Sequence, residues 1–359
     1  MAEKTKTQKI SGISRIVNHE LAPFSRQLAS MLRAGMSLIV SLMTIEEQMD
    51  NKNFKTVISS VRDTVEGGGA FSDGLAKWPK VFNELFVNIM RSGERSGQFA
   101  ESMARLSQLL ESSAKLRRKV KSALSYPIVV LCMAFGIAFA MITFVVPVFA
   151  EMFSGFGKEL PGPTQLLVNI SDFIRHNWWW LLPAVVGGIF FFRRWAATEQ
   201  GSFKMDAFKL KLPVFGELNQ KVAVARFARI FSQMVHSGVP ILDGLAIVAK
   251  ACGNKVIGKS IMEARAHVEQ GDQISNGLDG RPGIPLLLTR MVAAGEKSGK
   301  LDEMLDSIAS TYEDEVEAML ASLTSLMEPL LMGFMGVLIG GIVICMYLPI
   351  FSMSSIIGG

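Results

Sequence analysis

The chain has 359 residues, of which 49% are hydrophobic and 19% are charged. Soluble domains carry about 25% charged residues, so this chain is shifted toward apolar composition. Its mean hydropathy is +0.32 and its apolar residues concentrate in three blocks. This distribution excludes a wholly soluble enzyme, a disordered chain and a transporter with many membrane spans. The net charge is +5, and the positions of the basic residues along the chain are more informative than this total.

From residue 20 onward, apolar residues recur at helical spacing. Leu21, Phe24, Leu28 and Leu32 lie on one face of a predicted helix that closes at Gly35. Further helices are predicted over residues 38–50, 53–66, 71–76 and 81–91. No segment shows strand periodicity, so the soluble part predicts an all-α fold. The residues before 20 are polar and basic, without the apolar core of a secretory signal.

A long helix is predicted from about Gln98, with no breaker before Pro127. Residues 127–150 carry no charge and are numerous enough for the roughly 20 residues of a membrane span. The helix is therefore expected to continue into the membrane, with a kink at the proline. A second span is predicted near Pro329–Phe351, which is also uncharged.

The middle apolar block, Trp178–Phe192, is short for a span. Three tryptophans at its start are typical of a membrane interface, and Arg193 and Arg194 at its end can snorkel toward the headgroups. A re-entrant or buried helix is the alternative. Two copies of one soluble unit should face the same solvent, and only this block can return the chain across the membrane.

Basic residues flank the predicted spans unequally. The segment 151–177 contains only Lys158 and Arg175, whereas basic clusters precede the first span and follow the middle block. This asymmetry predicts that residues 1–126 and 196–328 are cytoplasmic and that 151–177 lie outside. Contact with anionic lipid headgroups accounts for these basic clusters, so binding to nucleic acid is not needed to explain them. They comprise Lys115, Arg117, Arg118, Lys119 and Lys121, and then Arg193, Arg194, Lys204, Lys209, Lys211 and Lys221.

The two soluble halves repeat each other. At an offset of 203 residues, Phe24 pairs with Phe227 and Gly35 with Gly238. After the loss of one residue, the pentads Gly93–Gly97 and Gly295–Gly299 align as Gly-Glu-x-Ser-Gly. One register over this length indicates a duplicated unit of soluble bundle plus span, with about six helices in each bundle.

Two motifs could carry chemistry. Gly253–Ser260 matches the phosphate-loop pattern GxxxxGK[ST], but the residues before it predict a helix where a strand is needed, so a turn between helices is favoured. In the pentads, the terminal glycines suit a tight turn between helices, and Ser96 or Ser298 can cap the next helix. Glu94 and Glu296 could act in catalysis, bind a cation or hold a partner. Without a nearby histidine or second acid, a structural cap or an interface is favoured.

Few residues offer a metal or redox site. The three cysteines form no Cys-x-x-Cys pair, and no two of the four histidines stand at ligand spacing. Neither a metal nor a cofactor is expected, and the cysteines suit a reducing compartment. The interiors of the spans lack ionisable residues, which argues against an ion pathway. Their Met and Phe side chains could contact lipid or form a groove for a partner's membrane helix.

Taken together, these features resemble the type II secretion F-domain family, the inner-membrane platform proteins of type IV pilus and type II secretion machines. The likeness covers residues 20–351. It rests on the duplicated bundle, the sequences around Gly35 and Gly238, the two pentads, the Tyr126-Pro127 and Glu328-Pro329 pairs, and the placement of one span before two. Ser37 stands where the second copy has Pro240, so that position is not diagnostic.

The resemblance implies a non-enzymatic scaffold in the bacterial inner membrane. Its cytoplasmic bundles would dock on a hexameric assembly ATPase. Its membrane helices would contact pilins or pseudopilins, other inner-membrane assembly proteins and lipid. A homo-oligomer is also implied, without direct contact to nucleic acid. A membrane-anchored nucleotide-binding protein that uses residues 253–260 is the alternative. Structural or interface roles are expected for Gly35, Gly74, Gly93, Glu94, Gly97, Gly238, Pro240, Gly277, Gly295, Glu296 and Gly299.

The predicted fold is therefore all-α, with two duplicated cytoplasmic bundles and three transmembrane helices. In chain order the expected parts are a polar N-terminal extension (1–19), the first bundle (20–126), a span (127–150), a periplasmic loop (151–177), a second span (178–195), a basic cytoplasmic linker (196–221), the second bundle (222–328), a third span (329–351) and a short periplasmic tail (352–359).

Overall fold

The computed structural model describes residues 16–154 and 160–357. Within these ranges the secondary structure consists of helices and turns, which confirms the all-α fold. Residues 1–15 of the predicted extension, Lys158 and the last two residues of the predicted tail lie outside the described residues.

The same order of six helices occurs twice. The first copy contains α1 (Leu21–Arg33), α2 (Leu38–Glu47), α3 (Lys52–Glu66), α4 (Phe71–Ala76), α5 (Glu84–Ser96) and α6 (Phe99–Ala140). Three helices follow: α7 (Val146–Ser154), α8 (Gly162–Ala196) and α9 (Glu199–Lys211). The second copy contains α10 (Phe215–His236), α11 (Ile241–Ala251), α12 (Lys255–Glu269), α13 (Ile274–Leu278), α14 (Leu286–Ser298) and α15 (Leu301–Ile357).

Helix boundaries follow the register of the repeat. Helices α3 and α12 begin and end at positions that differ by 203, and α5 and α14 at positions that differ by 202. The expected number of about six helices per copy is therefore correct. The predicted helix over residues 81–91 is misplaced, because α5 begins only at Glu84, where Asn83 Oδ1 accepts a hydrogen bond from the Phe86 amide (3.0 Å).

The described residues up to 118 and residues 203–316 form one compact unit, which contains both copies except the later parts of α6 and α15. The sequence predicts two duplicated bundles, and the buried apolar side chains of the two copies form one continuous core. In the first copy this core contains an edge-to-face pair of Phe24 and Phe54, with ring centroids 5.5 Å apart. In the second copy Phe227, the repeat partner of Phe24, lies 5.6 Å from Phe231. The equivalent phenylalanines Phe24 and Phe227 therefore both pack against another ring, although the second ring differs between the copies.

The other compact unit comprises the described residues within 119–202 and residues 317–357. Two helical stretches, Phe99–Met152 and Leu301–Ile350, are long and apolar enough to cross a membrane. The first includes Pro127 and a π-helical turn at Met141–Val145 that joins α6 to α7. Since α8, which contains the block Trp178–Phe192, is not one of these two stretches, the third crossing stays a prediction.

Several connecting segments are helical. Helix α8 starts at Gly162, so the latter part of the predicted loop 151–177 is helix. The predicted linker 196–221 contains α9 and the first residues of α10. Helix α15 continues to Ile357, into the predicted tail. These observations concern secondary structure only, and the side of the membrane on which each segment lies stays a prediction.

Candidate functional site: two glutamate caps and a polar cleft

Each pentad glutamate caps the short fourth helix of its own copy. The Glu94 carboxylate accepts hydrogen bonds from the amides of Phe71 (2.6 Å) and Ser72 (3.1 Å) at the start of α4. Glu296 accepts from Ile274 (2.6 Å) and Ser275 (3.0 Å) at the start of α13. These amides have no partner within their own helix, and a carboxylate is favourable beside a helix N-terminus. Both glutamates therefore perform the same structural task.

The first and last glycines of each pentad are required for different steric reasons. A Cβ atom at Gly93 would collide with the Ser102 side chain, and one at Gly295 would lie 2.9 Å from the Leu301 Cα. Both positions let the fifth helix approach the long sixth helix. Gly97 and Gly299 end α5 and α14 in the left-handed region, at φ 73° and 70°, where a side chain would be strained.

The expectation of a tight turn from Gly93 to Gly97 and from Gly295 to Gly299 is wrong. Helices α5 and α14 continue through Ser96 and Ser298, so only the last glycine of each pentad lies outside the helix. The two serines do not cap the following helix. Ser96 Oγ donates to the Gly93 carbonyl (3.4 Å), and Ser298 Oγ donates to the Ala294 carbonyl (2.8 Å). Each hydroxyl is thus satisfied by a carbonyl of its own helix.

The remaining candidate residues lie at turns and close contacts. Gly35 and Gly238 adopt left-handed conformations after α1 and α10, at φ 84° and 71°. A Cβ atom at Gly277 would lie 3.0 Å from the Ala264 Cα, and one at Gly74 would lie 3.3 Å from Val61 Cγ1. Pro240 precedes α11; in the first copy, Ser37 Oγ accepts from the Val40 amide (3.4 Å) at the matching place.

The segment 253–260 does not form a phosphate loop. Asn254 caps α12 through hydrogen bonds from the amides of Val256 (2.9 Å) and Ile257 (3.2 Å), so the residues from Lys255 onward are helical. A helix, α11, precedes the segment where a phosphate loop requires a strand. The Asn51 side chain caps α3 in the same way. The nucleotide-binding alternative therefore lacks the required local structure.

Two side chains at this turn, Cys252 and Asn254, are buried. Cys252 is in the core, and burial raises the pKa of its thiol above the ordinary value. Burial also lowers the pKa of the neighbouring Arg226 guanidinium. A neutral, inaccessible thiol is a structural group rather than a nucleophile.

A polar cleft of ≈ 740 Å³ lies where α6 of the first copy meets α10 and α15 of the second. On one wall, Arg229 pairs with Glu313 at 3.0 Å and with Asp306. Burial alone would lower the pKa of Arg229, but hydrogen bonds and charges from Glu313 and Asp306 raise it. In the first copy the equivalent pair is Arg26–Glu111, at 3.5 Å.

The cleft contains no catalytic relay. His236 Nδ1 lies 2.6 Å from Asp302 Oδ2, but the nearby Ser232 hydroxyl donates to the main-chain oxygen of Asp302 (2.8 Å). A nucleophile–base–acid relay would need that hydroxyl on the imidazole. Among the described residues, no three His, Cys, Asp or Glu side chains are grouped as metal ligands.

Comparison with known families gives two matches in this chain. A family model described as "Type II secretion system (T2SS), protein F" matches residues 24–147 and again residues 227–349. The two matches coincide with the two copies and together cover more than half of the chain. The chain belongs to the type II secretion system protein F family.

Relatives from two kinds of machine share this family. The type IV pilus assembly protein PilC of Myxococcus xanthus is 40% identical over 97% of this chain and 84% of its own length. PilC of Thermus thermophilus is 42% identical, over 93% and 82% of the two lengths. The type II secretion system protein F of Vibrio cholerae is 30% identical, over 99% and 87%.

Membership in the protein F family confirms two expectations. The relatives' names describe assembly and secretion rather than a reaction, so this member is a structural protein and not an enzyme. Together with the two apolar helical stretches, the names also indicate an inner-membrane protein.

Sequence reasoning missed the polar cleft of this protein F member. The repeat register pairs Arg26 with Arg229, and the carboxylates that meet them, Glu111 and Glu313, differ by 202 residues. An arginine and a glutamate that recur together in both copies signal a contact between the first and sixth helices. His236 and Asp302 have no such duplicated signal, because Arg33 and Ala100 occupy the matching positions.

Proposed function

We propose that this chain is an inner-membrane platform protein of a type IV pilus or type II secretion machine, which couples a cytoplasmic assembly ATPase to the insertion of pilins or pseudopilins into a filament. Family membership carries the proposal, because relatives named for pilus assembly and for type II secretion match nearly the whole chain. Other assembly proteins, lipid and further copies of the chain complete the set of partners.

The structure supports a scaffold. Both copies share one core, and the pentads are used for helix caps and close packing. We assign structural roles to Glu94, Glu296 and the pentad glycines, and no direct contact with the motor. The docking surface for the ATPase then consists of exposed side chains outside these motifs.

We also propose that residues 1–126 and 196–328 are cytoplasmic and that α8 crosses the membrane. Many of its apolar side chains are exposed, including Trp178, Trp180, Phe190 and Phe191. The block Trp178–Phe192 alone would span about 22 Å at roughly 1.5 Å per residue. Because α8 has 35 residues, it is about 52 Å long and can tilt or extend the crossing beyond this block.

Deletion of the protein tests the platform role. We expect filament assembly or secretion to be lost, while the motor ATPase still hydrolyses ATP in membranes from the same cells. The wild-type chain should restore assembly, and so should Lys259→Ala, because Lys259 is an exposed helix residue near Glu263 (3.9 Å). Normal assembly in the deletion strain would refute the platform role, and failure of Lys259→Ala would revive nucleotide binding.

Reporter fusions test the topology. Alkaline phosphatase fused after Gly280, in the turn between α13 and α14, should be inactive, whereas fusion after Leu160 should give an active periplasmic enzyme. A green fluorescent protein, which folds in the cytoplasm, should give the opposite pattern. Phosphatase activity at Gly280 would mean that α8 does not return the chain, and motor docking by the second copy would then be impossible.

A further inference from the structure

Helix α9 is attached to the folded unit by one of its sides. Asp206, which is 8% exposed, accepts hydrogen bonds from the Lys255 amide at the start of α12 (3.0 Å) and from Lys209 Nζ (2.9 Å). Leu210, one turn after Asp206, packs against the shared apolar core. These contacts fix the side of α9 that faces the rest of the unit.

The opposite side of α9 is exposed and combines cations with an aromatic ring. Lys204, Phe208 and Lys211 are spaced by four and three residues and form one stripe. At about 3.6 residues per turn, this stripe lies roughly opposite Asp206, the one acid between residues 203 and 211. Phe208 is 60% exposed, and both lysines are exposed. The stripe Lys204–Phe208–Lys211 is therefore basic and partly apolar.

The acidic residues of this segment lie outside the stripe. Asp206 pairs with Lys209 at 2.9 Å, and Glu217 at the start of α10 pairs with Lys221 at 2.7 Å. Glu199 is the first residue of α9, where a carboxylate interacts favourably with the helix N-terminus. The two lysines of the stripe can therefore meet an external anion.

The turn after α9 holds an exposed valine in a strained conformation. Val214 has φ 64° and ψ −53°, and the Phe215 amide donates to the Pro213 carbonyl (2.7 Å), which is a γ-turn of the rare type with positive φ. Among the residues that the structure describes, Val214 is the one non-glycine residue with positive φ, which a β-branched side chain disfavours. Val214 and Phe215 are 52% and 36% exposed, so packing within the protein gives little reason for a valine here. Such strain is typical of functional sites.

Chain continuity places this segment at the membrane boundary. Helix α8 ends at Ala196 and α9 begins at Glu199, so two residues separate them. The last turn of α8 carries Arg193 and Arg194, which suit the headgroup layer. With α8 across the bilayer, as proposed above, α9 starts at the headgroups on the side of the second copy.

We infer that α9 lies on an anionic bilayer surface, with Phe208 and the Val214–Phe215 turn among the lipid headgroups and the two stripe lysines on lipid phosphates. Lysines beside an inserted ring reach the phosphates by extending their side chains toward water. Because Asp206 ties α9 to the start of α12, this contact also orients the second copy against the membrane. The inference rests on the proposed crossing by α8 and names the surface that the adjoining segment binds.

Photo-cross-linking in the full-length chain tests this contact. We expect Phe208→benzoylphenylalanine, in vesicles of phosphatidylcholine and phosphatidylglycerol in equal parts, to form a lipid product on irradiation, as read by mass spectrometry. The yield should fall in vesicles of phosphatidylcholine alone. Ser298→benzoylphenylalanine is the matched control and should give no lipid product, because residues 301–328 separate the exposed Ser298 from the apolar end of α15 by about 42 Å of helix.

Charge reversal tests the electrostatic part of the contact. Lys204→Glu together with Lys211→Glu should lower the yield of phosphatidylglycerol product at position 208 by about fivefold or more, since one lysine near an anionic surface contributes about that factor. Lys297→Glu together with Lys300→Glu changes the net charge equally, on exposed residues outside α9, and should leave the yield unchanged.

Val214→Gly distinguishes membrane contact from a role in folding. Glycine adopts positive φ without strain, so Tm should stay the same or rise. The lipid product at position 208 should decrease, because the turn loses its apolar side chain. A lower Tm with an unchanged yield would mean that Val214 serves the fold, and it would overturn the assignment of this turn to the bilayer.

The inference is overturned if the probe at position 208 reacts like the probe at position 298, if it yields a dimer of the chain instead of a lipid product, or if both lysine pairs lower the yield equally. Should the probe variant unfold, hydrogen exchange of the wild type replaces it: amides of residues 203–215 should exchange more slowly with phosphatidylglycerol than without it, and equal rates would overturn the inference. Any of these failures, together with a cytoplasmic reporter after Gly280, refutes the lipid contact but not the crossing by α8.

Discussion

Replacement of Glu296 by alanine should destabilise the compact unit that contains both copies. The substitution removes the acceptor of two amide hydrogen bonds, from Ile274 (2.6 Å) and Ser275 (3.0 Å). Loss of a helix cap costs about 1 kcal/mol, and a hydrogen bond to a charged group contributes about 1.5–3 kcal/mol. Since Glu296 is partly exposed and water can replace some of this interaction, we expect a total loss of about 2–3 kcal/mol.

The assay is the thermal unfolding of the full-length protein in detergent, followed by tryptophan fluorescence and far-ultraviolet circular dichroism. For a unit of this size, 1 kcal/mol shifts Tm by about 2–4 °C, so Glu296→Ala should lower Tm by about 4–12 °C. Glu296→Gln keeps one acceptor oxygen, which can serve only one of the two amides, and should fall between the wild type and the alanine variant.

Glu303→Ala is the control, because Glu303 forms only an exposed pair with Lys300 (3.0 Å) and its loss should cost at most about 1 kcal/mol. Glu94→Ala should behave like Glu296→Ala, since it removes the same two bonds in the other copy. A shift for Glu296→Ala no larger than that of Glu303→Ala would refute the capping role and reopen a binding role for both glutamates.

Three further predictions use other parts of the same unit. Gly93→Ala should destabilise it by about 1–3 kcal/mol in the same assay, and Ser102→Gly should restore much of the loss by removing the colliding side chain. Titration calorimetry should detect no ATP binding to either the wild type or Lys259→Ala, and the two proteins should have the same Tm. ATP binding by the wild type that Lys259→Ala abolishes would contradict the capped-helix interpretation. Because burial raises the pKa of Cys252, only the thiol of the unfolded chain ionises just above pH 9. The free energy of unfolding of the wild type should therefore fall above pH 9 relative to that of Cys252→Ala. Parallel dependence of the two free energies on pH would contradict the burial of this thiol.

Local patterns predict much of the fold because each one has a local cause. The spacing of Leu21, Phe24 and Leu28 predicts a helix that ends before Gly35, and α1 ends at Arg33. The predicted short helix over 71–76 matches α4. A helix without a breaker from about Gln98 corresponds to α6, which includes Pro127. Apolar period, turn glycines and breakers are properties of neighbouring residues and need no tertiary information.

The pentads show where local reasoning fails. A glycine is typical of a turn, yet Gly93 and Gly295 lie inside helices, where they permit close contact with the following long helix. Glu94 caps a helix that begins 23 residues earlier in the chain, so sequence spacing gives no sign of its partner. Both roles depend on helix–helix packing, which only the folded structure supplies.

Features that are the same in both copies indicate a structural role, whereas positions that differ between the copies can indicate an interface. The cap by Glu94 and Glu296 and the left-handed Gly97 and Gly299 recur with nearly identical geometry, because each bundle needs them in order to fold. A partner that binds one place on the molecule imposes no such symmetry. Positions whose burial differs between the copies, such as Leu85 and Leu287, are therefore better candidates for interfaces than the repeated motifs are.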